Sequence, residues 1–317
     1  MSTFAPRHRQ TQHPVAAGTW GGLDILSYPV GNRVGEAPCW HPEHQCLYWI
    51  DVRAQQLLKL SPESAAIDRW DLPEVVGALG LCTGNQVCLA LTHSLVHLQL
   101  DTGRVDDFAK LEKEPPTNRL NDGKVSPSGN WFVFGSMDDS PQKSATGALY
   151  CVSPTGKVNQ LHEGLTVCNG IAWSLDATSL YFSDSAKGLL YRAPWNEQTG
   201  VMGPPGIFAT LNEEQGRPDG GVVDLDDNYW SAGVSAGCIN ILSRAGRIIQ
   251  SLPLPLRAPT MCAFGGHLGD VLYVTSLIRP QWQTAGQHDG ALLRIPLLTP
   301  GPITPLFKSS TPSSLRF

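Results

Sequence analysis

The chain has 317 residues, with 23 Lys and Arg against 28 Asp and Glu and a net charge of −5, which supplies no basic field for nucleic acid. A hydrophobic fraction of 41% supports a substantial core, and 32 Gly with 25 Pro suit short strands and turns. No apolar run approaches a membrane span and few windows repeat with helical period, so the expected class is all-β, with neither nucleic acid nor membrane as partner.

Residues 1–17 are polar, carry Arg7, His8, Arg9 and His13, and lack the apolar core of a signal peptide. They are read as a flexible tail, and residues 18–317 as one domain. An apolar strand closing on small or acidic residues then occurs six times, at Leu47 to Asp51, Val87 to Leu91, Trp131 to Ser136, Leu180 to Asp184, Tyr229 to Gly233 and Leu272 to Ser276. The starts fall roughly 40 to 50 residues apart, the period of propeller blades and too short for separate domains. Each is followed by another short apolar run and a turn, as in Gly188-Leu-Leu-Tyr-Arg192, so each unit holds several short strands.

Counting back about ten residues from each strand aligns Glu36, Gly77, Asn121, Asn169, Asp219 and Thr260 as one position of the repeat. The residues that follow turn apolar or aromatic (Trp40, Leu81, Val125, Trp173, Val223, Phe264), which reads as the innermost strand of a blade. In a radial repeat such positions converge on the axis. Glu36, Asn121, Asn169 and Asp219 would then bring oxygen ligands together, a set suited to a hard divalent cation such as Ca²⁺, Mg²⁺ or Mn²⁺. Asn-Gly and Asp-Gly are also ordinary turn sequences, but Glu36 is a poor turn former. Ser276 to Gly290, with Arg279, Trp282 and His288, is the least blade-like stretch, read as a rim or structural loop.

Eight cysteines, at 39, 46, 82, 88, 151, 168, 238 and 262, form no CxxC pair. They indicate neither a zinc site nor a disulfide framework, and a reducing cytoplasm is the simplest compartment. His41, His93 and His97 fall outside the axial register and are given no catalytic role. A charged fraction of 16%, below the roughly one quarter typical of soluble chains, leaves room for a weak homo-oligomeric contact of an otherwise monomeric protein.

The segments Gly35-Glu36-Ala-Pro, Arg119-Leu-Asn121-Asp-Gly-Lys124, Gly135-Ser-Met137-Asp-Asp139, Asn169-Gly-Ile-Ala-Trp-Ser174, Pro218-Asp219-Gly220 and Cys262-Ala-Phe-Gly-Gly266 resemble, in order, the motifs of the regucalcin, gluconolactonase and luciferin-regenerating family. The resemblance implies a six-bladed β-propeller with four-stranded antiparallel blades. It implies one divalent cation held by Glu36, Asn169 and Asp219, with Ca²⁺ expected and Zn²⁺, Mn²⁺, Mg²⁺ or Fe²⁺ as alternatives. Arg119 and Asn121 match the family's substrate contacts. Asp139 stands where members often carry Glu, so its shorter reach bears on substrate identity.

The activity so implied is hydrolysis of sugar lactones such as gluconolactone, xylonolactone, arabinolactone or galactonolactone to aldonic acids, the carbonyl being polarised by the cation. Asp219 is the expected general base, or else a ligand alone. Asp184 is either an acid that orients a ligand or water, or structural. The alternative from another class is a non-enzymatic propeller that binds Ca²⁺ or a sugar. The polar wall of Arg119, Asn121 and Asp139 favours the enzyme. A docking propeller of the YWTD type is suggested by Leu47-Tyr-Trp-Ile-Asp51 in one blade alone.

Overall fold

The computed structural model describes residues 2–3 and 8–309. Among these residues the secondary structure is strand, in six antiparallel sheets of four or five strands that form the blades of a β-propeller. The innermost strands are Gly35–His41, Ala78–Leu81, Asn118–Val125, Cys168–Trp173, Pro218–Val223 and Pro259–Gly265. The strands recognised from the repeat are the second in each blade, for example Cys46–Asp51 and Ser179–Asp184.

Packing explains why these strands read as nearly continuous apolar runs. Successive side chains point to opposite faces of a sheet, and a blade has a neighbour on both faces. Tyr48 and Ile50 pack with Leu79 and Leu89 of the second blade, whereas Leu47 and Trp49 pack with Tyr273 of the sixth. Six apolar clusters of this kind fill the six gaps between blades.

The ring is closed by mixing the two ends of the chain in one sheet. Leu23–Tyr28 pairs antiparallel with Leu292–Pro296, Tyr28 opposite Leu292, and Val15–Trp20 adds a further strand outside it. His8–Thr11 pairs with Ala66–Asp71 at the edge of the first blade. This differs from the flexible tail expected over residues 1–17; of that stretch, residues 1 and 4–7 lie outside the described residues. The four side chains of His8–Thr11 are exposed, so the strand leaves no hydrophobic pattern in the sequence. Residues 310–317 of the expected domain likewise lie outside the described residues.

The far end of the channel is covered by the segment after the last blade strand. Leu297 and Gly301 donate backbone hydrogen bonds to Asp270 and Gly269 of the sixth blade, and Phe307 donates to Leu81 of the second. Phe307 is fully buried against Phe108 and Phe132. A cavity of about 210 Å³, lined largely by apolar groups such as Trp173, Phe264 and Pro302, lies between this segment and the inner strands.

A chain starting at residue 12 is expected to fold, with a Tm within about 4 °C of the full chain, because losing the exposed edge strand opens Asp68 to water. A chain starting at residue 29 removes Ile25 and Tyr28 from two inter-blade clusters and is expected to give no cooperative transition. Thermal unfolding of the two truncations checks both outcomes.

Candidate functional site

At the other mouth of the channel, the inner strands are bent where the oxygen-bearing side chains stand. Register shifts interrupt pairing between Glu36 and Cys39, Asn121 and Gly123, Asn169 and Ala172, Pro218 and Gly221, and Pro259 and Met261. An irregularity of this kind frees a residue from the ladder and re-aims its neighbours. Ala37 (φ 49°) and Asp122 (φ 30°) hold left-handed backbone there without being glycine, a conformation that costs about 1–2 kcal/mol. Gly170 occupies the same place after Asn169 with φ 66°, and a Cβ there would meet the Tyr229 hydroxyl at 2.6 Å. The second blade contributes Gly77, where a Cβ would strike the Leu120 carbonyl at 1.9 Å.

The structure brings Arg119, Asn121, Asn169 and Asp219 into one directed hydrogen-bond chain. Arg119 Nη1 donates to Asn121 Oδ1, Asn121 Nδ2 to Asn169 Oδ1, and Asn169 Nδ2 to Asp219 Oδ1, each at 2.7 Å. Because a guanidinium only donates, it sets the orientation of both amides in turn. Asn121 Nδ2 also donates to Cys168 O at 2.9 Å, and Asn169 Nδ2 to Ser185 Oγ at 2.8 Å. All four side chains are buried, whereas Glu36 remains partly exposed and accepts a bond from the Ala37 amide at 3.3 Å.

The electrostatics are those of like charges pressed together. Burial first, then the neighbouring carboxylates Asp219 and Asp122, raise Glu36 well above the ordinary carboxyl range. Burial and Asp122 push Asp219 up to about 7, against the pull of Arg217, Arg279 and Arg119. Asp122 is raised by burial too, although Lys124 and the amides of Ile171, Gly123 and Gly170 oppose this. Farther along the channel Lys124 Nζ bonds the Gly221 carbonyl.

This donor set fits a hard divalent cation. Glu36 and Asp219 are anionic oxygens that repel one another, and a cation between them would relieve that repulsion. Asn169 Oδ1 has a second lone pair beyond the one taken by Asn121. Two carboxylates and an amide are fewer ligands than such a cation takes, and would leave positions for water or substrate.

Asp139 sits at the rim, where Arg53, Arg119 and Lys143 converge on it. Burial works against its ionisation, but these cations outweigh it and hold the carboxyl below its ordinary value. Asp184 is turned away from the chain: its oxygens accept from the Thr166 and Val167 amides at 3.0 and 3.2 Å, and Lys187 Nζ is 2.9 Å away. Asp51 does the same for Arg33 and Val34 in the first blade, so an acid closing this strand fastens the loop that enters the blade. Ser185, the next residue, is the one that reaches Asn169.

Sequence reasoning passed over Arg53, Lys143, Ser185, Arg217 and the carboxylate of Asp122. The signal for Arg53 and Lys143 was positional, since both lie in the turn after a second strand. Arg279 of the 276–290 loop donates to Val234 O at 3.3 Å, and Trp282 is covered by the Arg257 guanidinium at 3.7 Å. His41 and His97 are buried and pushed down to about 4 by desolvation.

The family model SMP-30/Gluconolactonase/LRE-like region matches residues 34–278. A 6-deoxy-6-sulfogluconolactonase of Pseudomonas putida is 33% identical over 247 residues, 77% of this chain and 83% of that protein. A pentonolactonase of Haloferax volcanii is 29% identical over 284 residues, 87% of this chain and 94% of that protein. The crystal structure of regucalcin from Agrobacterium tumefaciens, described as a calcium-binding protein, superposes with a TM-score of 0.84 at 25% identity, covering 97% of this chain and all of the other.

The raised pKa of Asp219 predicts a pH effect. Its pKa rises from 3.8 unfolded to about 7 folded, so its contribution to stability is complete below about 3.8 and is lost as pH rises through about 7. Buried His41 and His97 act in the opposite sense, so the comparison is with Asp219→Asn, which keeps an oxygen for Asn169. In chelator, the variant is expected to melt at least about 2 °C above the wild type beyond pH 7, with the gap closing as pH falls. Saturating Ca²⁺ should reverse the order, measured by calorimetry across the pH range.

Proposed function

Since the chain belongs to the SMP-30/gluconolactonase/LRE-like family, we propose that it is a divalent-metal-dependent hydrolase that opens sugar lactones to aldonic acids. The observation that carries this reading is the directed chain from Arg119 through Asn121 and Asn169 to Asp219. It joins a cationic substrate wall to the buried carboxylate of Asp219, and a simple cation store has no need of that wall. Relatives named for a sulfogluconolactone and a pentonolactone support the substrate class.

Glu36, Asn169 and Asp219 would hold the cation, with Ca²⁺ as the first candidate and Zn²⁺, Mn²⁺, Mg²⁺ or Fe²⁺ as alternatives. When bound, it supplies Lewis-acid polarisation of the lactone carbonyl. Asp219 takes the proton of the attacking water at the carboxylate oxygen that Asn169 does not occupy. Asn169 and Ser185 keep that carboxylate in one orientation, and Asp184, fastened to the adjacent backbone, fixes Ser185. Arg119 has donors beyond the one given to Asn121 and presents them to a ring or carbonyl oxygen of the sugar. Asp139 holds Arg119 and Arg53 in place at the rim. A reducing cytoplasm fits the eight buried cysteines, and the small-molecule substrate asks for no macromolecular partner.

Acid release followed with a pH indicator tests the reading, using metal-stripped protein with gluconolactone, xylonolactone, arabinolactone and galactonolactone before and after each cation. Metal-dependent rates above spontaneous hydrolysis are expected; none with any pair would leave the cation- or sugar-binding propeller. Asp219→Ala should abolish both metal retention and turnover. Arg119→Ala should lower kcat/KM by roughly 100-fold with the metal retained, and loss of metal in that variant would place Arg119 among the groups that support the cation.

A further inference from the structure

One corner of the mouth carries more positive charge than its fold requires. Arg53, in the turn after the second strand of the first blade, closes a two-pronged pair with Asp139 of the third blade, Nη1 to Oδ2 at 2.7 Å and Nη2 to Oδ1 at 2.6 Å. Arg119 Nε lies 3.2 Å and Lys143 Nζ 3.6 Å from the same Oδ1. Three cations share one carboxylate, an excess of two positive charges. The neighbouring acids turn their oxygens to other donors, and Glu36 acts on Arg119 from inside the channel. Asp138 accepts from the Ser140 and Ser144 amides, Glu114 from Asn118, Ser136 and Tyr150, and Glu74 from the Thr92 amide.

The crowding has an electrostatic signature and an opening. Lys143 is held below its ordinary value by burial, and Arg119 and Arg53 add to that against the pull of Asp139. The Arg53 and Lys143 side chains remain 43% and 39% exposed, whereas Arg119 is 9% exposed and leads inward to Asn121. Between the first and third blades the second offers Gly77, which has no side chain, and a tight turn from Leu91 to Ser94. A solute reaching Asp219 from the mouth therefore meets Arg53 and Lys143 on its way.

We propose that this corner is an anion subsite, and that the substrate is a sugar lactone bearing a carboxylate, sulfonate or phosphate on the carbon remote from its lactone carbonyl. The inference rests on the lactonase reading above. Arg53 presents a planar fork that matches such oxygens, and Lys143 adds a point charge. Asp139 is a positioning residue: it holds the Arg53 fork across the mouth and shares it with the incoming anion. A neutral aldonolactone leaves the two surplus charges unmatched, so selectivity against it comes from the same residues.

The test compares metal-loaded enzyme on gluconolactone with the lactones of glucaric acid, 6-phosphogluconic acid and a 6-sulfonated gluconic acid. The expected result is kcat/KM at least about tenfold higher for one anionic lactone than for gluconolactone, with the preference falling as salt rises. In Arg53→Gln/Lys143→Gln the preference should fall to within about twofold, and Arg53→Lys should restore part of it. The three anionic arms identify which group is read. Equal or better turnover of gluconolactone, or a preference that survives in the double variant, overturns the proposal while leaving the lactonase intact. If no lactone is hydrolysed, the lactonase reading fails, and calorimetry with glucarate and gluconate decides the subsite without turnover. Tighter binding of glucarate that is lost in the double variant upholds it, and equal affinities overturn it.

Discussion

Every contact at the channel mouth depends on closure of the ring by Leu23–Tyr28 against Leu292–Pro296. A blade buries both faces, so an open ring would expose two large apolar surfaces at once, one of them containing Trp40, Leu47 and Trp49. Closure removes both and fixes the angular position of every inner strand. Glu36, Asn169 and Asp219, which belong to three different blades, meet for that reason and for no local one. The two ends of the chain thus set the geometry of a site to which neither contributes a side chain.

Within that frame, the inner strands give up regularity where the side chains of the candidate site stand. A regular strand would alternate its residues between the two inter-blade gaps, as the second strands do. The register shifts after Glu36, Asn121 and Asn169 break the alternation, and the left-handed residues Ala37, Asp122 and Gly170 carry the backbone through the turn. Local strain of this kind persists where packing on all sides over-determines it. The same irregularities leave amides such as that of Ala37 pointing at the carboxylates, so the bend that aims a side chain also supplies it with a donor.

The repeat and its register were legible in the sequence because burial on both faces writes long apolar runs at a fixed spacing. Asn169, Asp219 and Glu36 could be placed on one axis from that spacing alone. Contacts that cross between blades left no such trace. The pairing of Arg53 with Asp139 joins residues in turns whose composition looks like that of any exposed loop. Asp184 was visible as an acid ending an apolar strand, yet its task is shared with Asp51 and belongs to the repeat's own construction. His8–Thr11 was illegible for the opposite reason, since an exposed edge strand held by backbone bonds has no need of apolar alternation.

The two ends of the channel differ in chemistry, and this difference gives the site its direction. The far end is apolar and covered by Pro302 to Phe307, with Lys124 and Asp122 as the charged layer between that cavity and the carboxylates. A polar solute approaching from there would have to shed its water against Trp173 and Phe264 before meeting a partner, at a cost of several kcal/mol. The near mouth offers Arg53 and Lys143 still in contact with solvent, then Arg119, then amides, then Asp219. Along that path each lost water is replaced by a fixed donor. Desolvation is thereby completed only at Asp219, where a low dielectric strengthens the interactions that the proposed ester hydrolysis would use.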